Sequence, residues 1–395
     1  MTAGRVEIRA RGRLASHYSL GAALLLALGC GSDPAAADDD VCEVDERAAE
    51  PPLGIRVVGN RLEDADGNPV QLHGVNRSGT EYRCIQGYGF SDGPNDEASV
   101  QAIASWNGTA VRVPLNEACW LGLPEAPAEY SGCAYKKAIR SYVTLLHEHD
   151  LLPILELHWA APAGHAPDRL QPLPNVDHSI DFWRDVAATF KHDPDVVFEP
   201  YNEPFPERNT DTDVAWGCFR DGCEQNLATE PGAAPVTYQA TGMQSLVDAI
   251  RSTGARQLIL VGGVRYSNAL TQWLTYKPQD PQENLAAAWH VYNYNQCIGP
   301  SCWDAAPADV AAQYPLVATE IGQNDCEATF INPLMDWLDE HGHGYLAWTW
   351  NAYGDCRPTG ANMGGSPYSL ITDYETGEPN SNYARAFHDR LRGQR

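Results

Sequence analysis

Eight short apolar runs, separated by amphipathic or polar stretches, limit most strongly what this chain can fold into. They span residues 70–75, 110–114, 152–158, 196–200, 258–261, 286–292, 316–320 and 344–350. Most are rich in Val, Ile or Leu and too short for helices, so they read as buried strands. Helix candidates lie between them, at residues 135–149, 180–190, 237–252 and 330–341, with a last one at 383–392. Eight such alternations predict an α/β fold whose parallel sheet is covered by helices and closed as a (β/α)8 barrel. An open, doubly wound sheet is the alternative, but no G-x-G-x-x-G turn follows the first strand. Ahead of that strand, Gly59 to Leu62 and Asp66-Gly67-Asn68 read as a short β-hairpin turning at Asp66-Gly67. Such a hairpin would cap the closed end of the barrel.

The N-terminus reads as an export segment. Arg5, Arg9, Arg11 and Arg13 precede a short apolar stretch from Leu20 to Leu28, too short to span a bilayer. The sequence Ala27-Leu28-Gly29-Cys30 then resembles a bacterial lipoprotein signal. This predicts a signal peptide at residues 1–29, a lipid anchor at Cys30 and an acidic tether over 30–52, with cleavage and free secretion as the alternative. One domain over residues 53–395 follows, with no second linker and no internal repeat. Eleven cysteines leave an even set once Cys30 is set aside, which in an exported chain reads as disulfides. The expected pairs are Cys119–Cys133, Cys218–Cys223, Cys297–Cys302, Cys326–Cys356 and Cys42–Cys84. No C-x2-C spacing supports the rival reading of a zinc site. The formal charge of -25 argues against nucleic acid, whose phosphates need a basic surface. It fits a soluble protein acting on a neutral polymer as a monomer, touching a membrane only through the Cys30 anchor.

In an eight-stranded α/β barrel, functional side chains gather at the C-terminal ends of the strands. Those ends carry Asn76, Arg112, His158, Asn202-Glu203, His290 with Tyr292, Glu320, and Trp348 with Trp350. Each alone is an ordinary turn-former or cap; six strand ends carrying an Arg, two His, two Glu and Trp form a constellation. Strands four and seven lie across the ring, so Glu203 and Glu320 can face each other over the mouth. Two facing carboxyls are what glycosidic cleavage requires, one to protonate the leaving oxygen and one to attack carbon or activate water.

The segment Val197-Phe198-Glu199-Pro200-Tyr201-Asn202-Glu203-Pro204 resembles the acid/base motif of glycoside hydrolase family 5, the cellulase family. Leu72-His73-Gly74-Val75-Asn76, Val111-Arg112-Val113-Pro114, Leu157-His158-Trp159, His290-Val291-Tyr292, Thr319-Glu320-Ile321-Gly322 and Ala347-Trp348-Thr349-Trp350 match its other strand ends in order. The resemblance runs from about Gly59 to Arg392. It implies a retaining mechanism without metal or cofactor. Glu203 would be the acid/base and Glu320 the nucleophile. Asn202 would bond the sugar 2-hydroxyl, and Arg112 would hold Glu320 ionised. His158 and His290 would bond substrate or the acid/base, Tyr292 the nucleophile, and Trp348 would stack on a sugar. The expected activity is endo-acting cleavage of a cell-wall β-glycan, cellulose-like β-1,4-glucan first. An endo-β-mannanase, an exo-acting β-glycosidase and a non-catalytic glycan-binding lipoprotein are the alternatives.

Several residues compete for roles. Glu199 and Glu156 sit deeper in their strands and read as buried charge partners. Asp325 and Asp373 read as solvated. His147-Glu148-His149 has metal-like residues, but positions i and i+2 of a helix face apart. His165 and His178 fall on a Pro-rich loop. Tyr88, Trp120, Trp159, Trp303 and Tyr353 fall on loops after strands and can be sugar platforms or packing residues. Trp348 and Trp350 share one side of their strand by alternation. The loops from Asn76 to Asp92 and Asn293 to Trp303 read as disulfide-stiffened cleft walls.

Overall fold

The computed structural model describes residues 53–229, 234–358 and 366–393. Eight parallel strands close into one barrel. In chain order they are β1 (His73–Asn76), β2 (Ala110–Asn116), β3 (Leu152–Trp159), β4 (Val197–Glu199), β5 (Ile259–Val261), β6 (Leu285–Tyr292), β7 (Leu316–Gly322) and β8 (Gly344–Ala347). Each pairs with the next, and β8 pairs with β1. Gly74 allows β1 to lie against β2, since a Cβ there would sit 1.7 Å from the Ala110 carbonyl oxygen.

A helix follows each strand: α1 (Glu97–Ala104), α2 (Cys133–Glu148), α3 (Ser179–Phe190), α4 (Met243–Ser252), α5 (Trp273–Tyr276), α6 (Ala306–Ala311), α7 (Ile331–Glu340) and α8 (Asn382–Gly393). Their apolar faces explain their placement. In α2, Tyr135, Ile139, Tyr142, Val143 and Leu146 recur at helical spacing and are buried. Burying each such side chain stabilises by about 1.5–3 kcal/mol. The expected helix over residues 237–252 is shorter than the sequence suggests. Thr237–Gln239 pairs antiparallel with Glu224–Asn226, and α4 starts only after Gly242. Thr and Tyr favour strand there, and the neighbouring strand supplies the partner.

The capping hairpin is a three-stranded antiparallel sheet, Ile55–Val58, Arg61–Asp64 and Pro69–Val70. Ile55 and Leu62 pack with Ile154, Val197, Leu260 and Leu346, which plugs the N-terminal end of the barrel. The functional end is therefore the opposite one. Residues 1–52, with the expected signal, Cys30 anchor and tether, lie outside the described residues.

Two expected disulfides are corrected. Cys84 pairs with Cys119, tying the β1 loop to the short helix Glu117–Leu121 after β2, so neither Cys119–Cys133 nor Cys42–Cys84 forms. Cys133 is disulfide-bonded as well. Cys218–Cys223, Cys297–Cys302 and Cys326–Cys356 are as expected.

Candidate active site

Strand register alone assembles a polar layer at the open end of the barrel. Asn76 lies beside Arg112, Glu156 beside Glu199, and His290 beside Glu320. Arg112 is fully buried at the centre. It donates to Glu199 through Nε at 2.6 Å, to Glu320 Oε1 through Nη1 at 2.7 Å, and to Asn202 Oδ1 through Nη2 at 2.8 Å. Asn76 Oδ1 and Glu156 Oε1 lie 3.0 and 3.5 Å from Nη1. One cation thus holds three carboxylates and two amides. Glu199 and Glu156 are the buried charge partners the sequence suggested.

Glu320 is held at both oxygens. Oε1 accepts from Arg112, and Oε2 accepts from the Tyr292 hydroxyl at 2.5 Å. Burial pushes its pKa up, but His290, Arg112, His158 and the Tyr292 bond outweigh burial and hold it below the ordinary value. Glu203 has the opposite balance. Burial and the Glu320 charge push it up, against the pull of His290. Its side chain is 15% exposed and that of Glu320 only 4%, so Glu203 opens further into the cleft. One carboxylate oxygen from each glutamate and a ring nitrogen of His290 lie within 4.8 Å of one another.

His290 Nδ1 bonds Glu203 Oε1 at 3.0 Å, and its Nε2 lies 3.1 Å from Thr319 Oγ1. Thr319 in turn donates to Glu199 at 3.1 Å. A hydrogen-bonded chain therefore runs from Glu203 through His290 and Thr319 to the Glu199–Arg112 pair. Burial lowers the His290 pKa, yet the surrounding carboxylates lift it to about 9. His158 behaves alike: burial opposes its charge, and Glu156, bonded at 2.5 Å, raises it to about 9. Its ring stacks on Trp348 at 5.5 Å and 13°. All eight predicted site residues meet in this one site. Thr319 carries a linking role that the sequence did not assign, although it precedes Glu320 directly.

The aromatics divide. Trp348 is half-buried in the site, whereas Trp350 is fully buried against Trp106. Strand alternation does not relate the two, because β8 ends at Ala347. Trp120 and Trp303 are core residues, packed against Phe182 and Phe330 respectively. Tyr88 is exposed, while Trp159 and Tyr353 are half-buried at the cleft, with the Tyr353 hydroxyl bonded to Tyr82. His147 and His149 turn apart to Asp193 and Glu97.

A model of the cellulases of glycosyl hydrolase family 5 matches residues 63–354. Endoglucanase C of Evansella cellulosilytica is 24% identical over 345 residues, 80% of this chain. The chain spans only 38% of that relative's length. A mannan endo-1,4-beta-mannosidase of Salipaludibacillus agaradhaerens is 20% identical over 309 residues, 75% of this chain and 81% of its own. Among solved structures, beta-glucanase SdGluc5_26A from Saccharophagus degradans superposes with a TM-score of 0.62 at 19% identity. That match covers 87% of this chain and 94% of the other, and the same fold is seen in its complex with cellotetraose.

Proposed function

The chain belongs to glycosyl hydrolase family 5, and from that premise we propose that it is a retaining, endo-acting β-glycosidase of cell-wall β-glycan, cellulose-like β-1,4-glucan first. The separation of the two carboxylates carries this reading. Oxygens of Glu203 and Glu320 approach within 4.8 Å. Retaining enzymes hold their carboxyls about 5–5.5 Å apart, whereas inverting ones need about 6.5–9.5 Å to admit a water.

The opposed protonation of the pair supports a division of labour. Glu320 attacks the anomeric carbon as the bond to the leaving oxygen breaks and Glu203 passes that oxygen its proton. Esterified Glu320 no longer bears charge, so part of what kept Glu203 protonated is gone. Glu203 then takes a proton from the incoming water, and Glu320 is released as carboxylate. Arg112 and Tyr292 align the nucleophile, His290 orients Glu203, and Asn202 and Trp348 contact the sugar. Mannan is the second substrate reading, since the curated relatives include both an endoglucanase and a mannosidase. Export to the cell envelope, through Cys30 or by secretion, is supported by the disulfides, which persist in oxidising compartments.

Hydrolysis of a panel of β-glucan, mannan and xylan, with the first-released anomer followed by NMR, tests the proposal. Retained configuration with preference for glucan or mannan is expected. An inverted first product or no cleavage of any β-glycan overturns it.

A further inference from the structure

Glu203 and His290 meet where no strand pairing sets their spacing. β4 and β6 are not neighbours in the barrel, because β5 lies between them. β5 is short: it meets β4 at Ile259–Phe198 and follows β6 only as far as Val261–Ala287. Glu203 lies beyond Glu199, the last residue of β4, and His290 lies beyond Ala287. The gap is filled by a turn. Arg265, Tyr266 and Ser267 have φ of +58°, +59° and +57°. None is glycine, and L residues avoid three left-handed conformations in a row. Such strain persists only where surrounding bonds over-determine it.

Those bonds converge on the acid/base and on the histidine that orients it. Tyr266 N donates to the Pro204 carbonyl at 2.9 Å, and Ser267 Oγ donates to the Asn202 carbonyl at 2.9 Å. Both chain neighbours of Glu203 are thereby held. His290 N donates to the Ser267 carbonyl at 3.0 Å, and Asn268 Nδ2 donates to the His290 carbonyl at 2.8 Å. Ser267 is common to both sets: fully buried, it reaches Asn202 with its hydroxyl and His290 with its carbonyl. Gly262 makes room for that hydroxyl, since a Cβ there would sit 2.3 Å from Ser267 Oγ. Asn, Asp or Gly would suit the left-handed backbone better than Ser, so the backbone alone does not account for a serine here.

We propose that Ser267 is a positioning residue of the reaction, whose hydroxyl and carbonyl together fix Glu203 against His290 and so aim the acid at the leaving oxygen. The inference rests on reading Glu203 as the acid/base. The Glu203–His290 contact of 3.0 Å joins side chains of two elements that only this turn bridges on the β5 side. A misplacement of about 1 Å in a reacting group can cost on the order of 10²-fold in rate.

Two variants test this. Ser267→Ala removes the hydroxyl and keeps the carbonyl. Ser267→Gly removes it too and relaxes the left-handed backbone. Each is assayed on two aryl β-glycosides carrying the sugar of a β-glycan that the wild type cleaves. One releases dinitrophenol, which departs without a proton; the other releases phenol, which needs one from Glu203. Both variants are expected to lose at least about tenfold more kcat/KM on the phenyl than on the dinitrophenyl glycoside. The ratio is taken within one preparation, so any unfolded protein cancels from it. The pH profile gives a second readout. Glu203 is faced by His290 on β6, His158 on β3, Glu320 on β7 and the phenols of Tyr266, Tyr292 and Tyr294. The His290 bond lowers the Glu203 pKa, so loosening it is expected to move the alkaline limb on the phenyl glycoside to higher pH. Equal losses on the two substrates, or an unmoved alkaline limb, overturn the proposal. A loss seen in Ser267→Ala but not in Ser267→Gly overturns it as well, since the backbone and not the hydroxyl would then be responsible. A wild type that cleaves no β-glycan overturns the glycosidase reading instead.

Discussion

Glu203 and Glu320 are the same residue type, so only their surroundings separate their roles. Arg112, His290 and Tyr292 face Glu320; burial and the Glu320 charge face Glu203. A rate that needs Glu320 ionised falls as pH drops through its pKa, held below the ordinary 4.5. A rate that needs Glu203 protonated falls as pH rises through its pKa, held above 4.5. Turnover is therefore expected to be bell-shaped, with a plateau that spans pH 4.5. Glu203→Gln is expected to lower glycan turnover by about 10²–10⁴-fold, the usual worth of a positioned acid or base, and to remove the alkaline limb. A pH–rate profile of both proteins checks this; a variant that keeps the alkaline limb assigns that limb to another group. Arg112, His158, Asn202, His290 and Tyr292 were legible in the sequence because each is a polar residue within or just after an apolar strand run. The left-handed turn over Arg265, Tyr266 and Ser267 just beyond β5 was not, since no glycine is there to signal it.

Among the elements, strands were the most legible, because continuous apolar runs bounded by polar residues leave little choice. Close disulfides were legible for a similar reason: Cys218–Cys223 and Cys297–Cys302 are five residues apart. Cys84–Cys119 was not, since its pairing depends on which loops abut at the barrel mouth. Equally hidden was Glu117, the first residue of the short helix after β2 and fully buried. Its carboxylate accepts from Asn175 Nδ2 at 2.7 Å, from Ala161 N at 3.3 Å and from Ser179 Oγ, pinning the β3 loop and the start of α3. Burial lifts its pKa to about 7 despite these bonds. The folded protein then holds a proton that the unfolded chain, with the ordinary value of 4.5, has lost. Its stability contribution is full below pH 4.5 and is lost as pH rises to about 7. Glu117→Gln keeps the shape and an acceptor but cannot ionise. Its melting temperature relative to wild type is expected to rise between pH 4.5 and pH 8. A constant difference across that range would mean Glu117 does not titrate in it.

At the scale of the molecule, the question is whether the cleft admits a chain at its middle or only at its end. The β4–β7 line separates two groups of aromatics. Trp348 and Tyr82 follow β8 and β1 and Trp159 ends β3; Tyr266 and the exposed Tyr294 follow β5 and β6. Aromatic surface on both sides of the carboxylates suits a glycan that continues in both directions. Against this, the Tyr82 and Tyr353 hydroxyls bond to each other at 2.5 Å and join the β1 and β8 loops. A wall there shortens one side of the cleft without closing the other. Two sides of contact around the reacting bond favour internal cleavage, since binding energy from sugars away from that bond can be spent on the transition state. The viscosity of a soluble β-glycan is thus expected to fall steeply while few reducing ends have formed, as random internal cuts require. If viscosity instead declines in proportion to released sugar, the Tyr82–Tyr353 contact closes the cleft and the protein trims chains from their ends. The formal charge of -25 gives a further handle on the same measurement. A neutral glycan gains nothing from that field, so the early viscosity drop is expected to be insensitive to salt, whereas an anionic polymer would be cut faster as salt screens the repulsion.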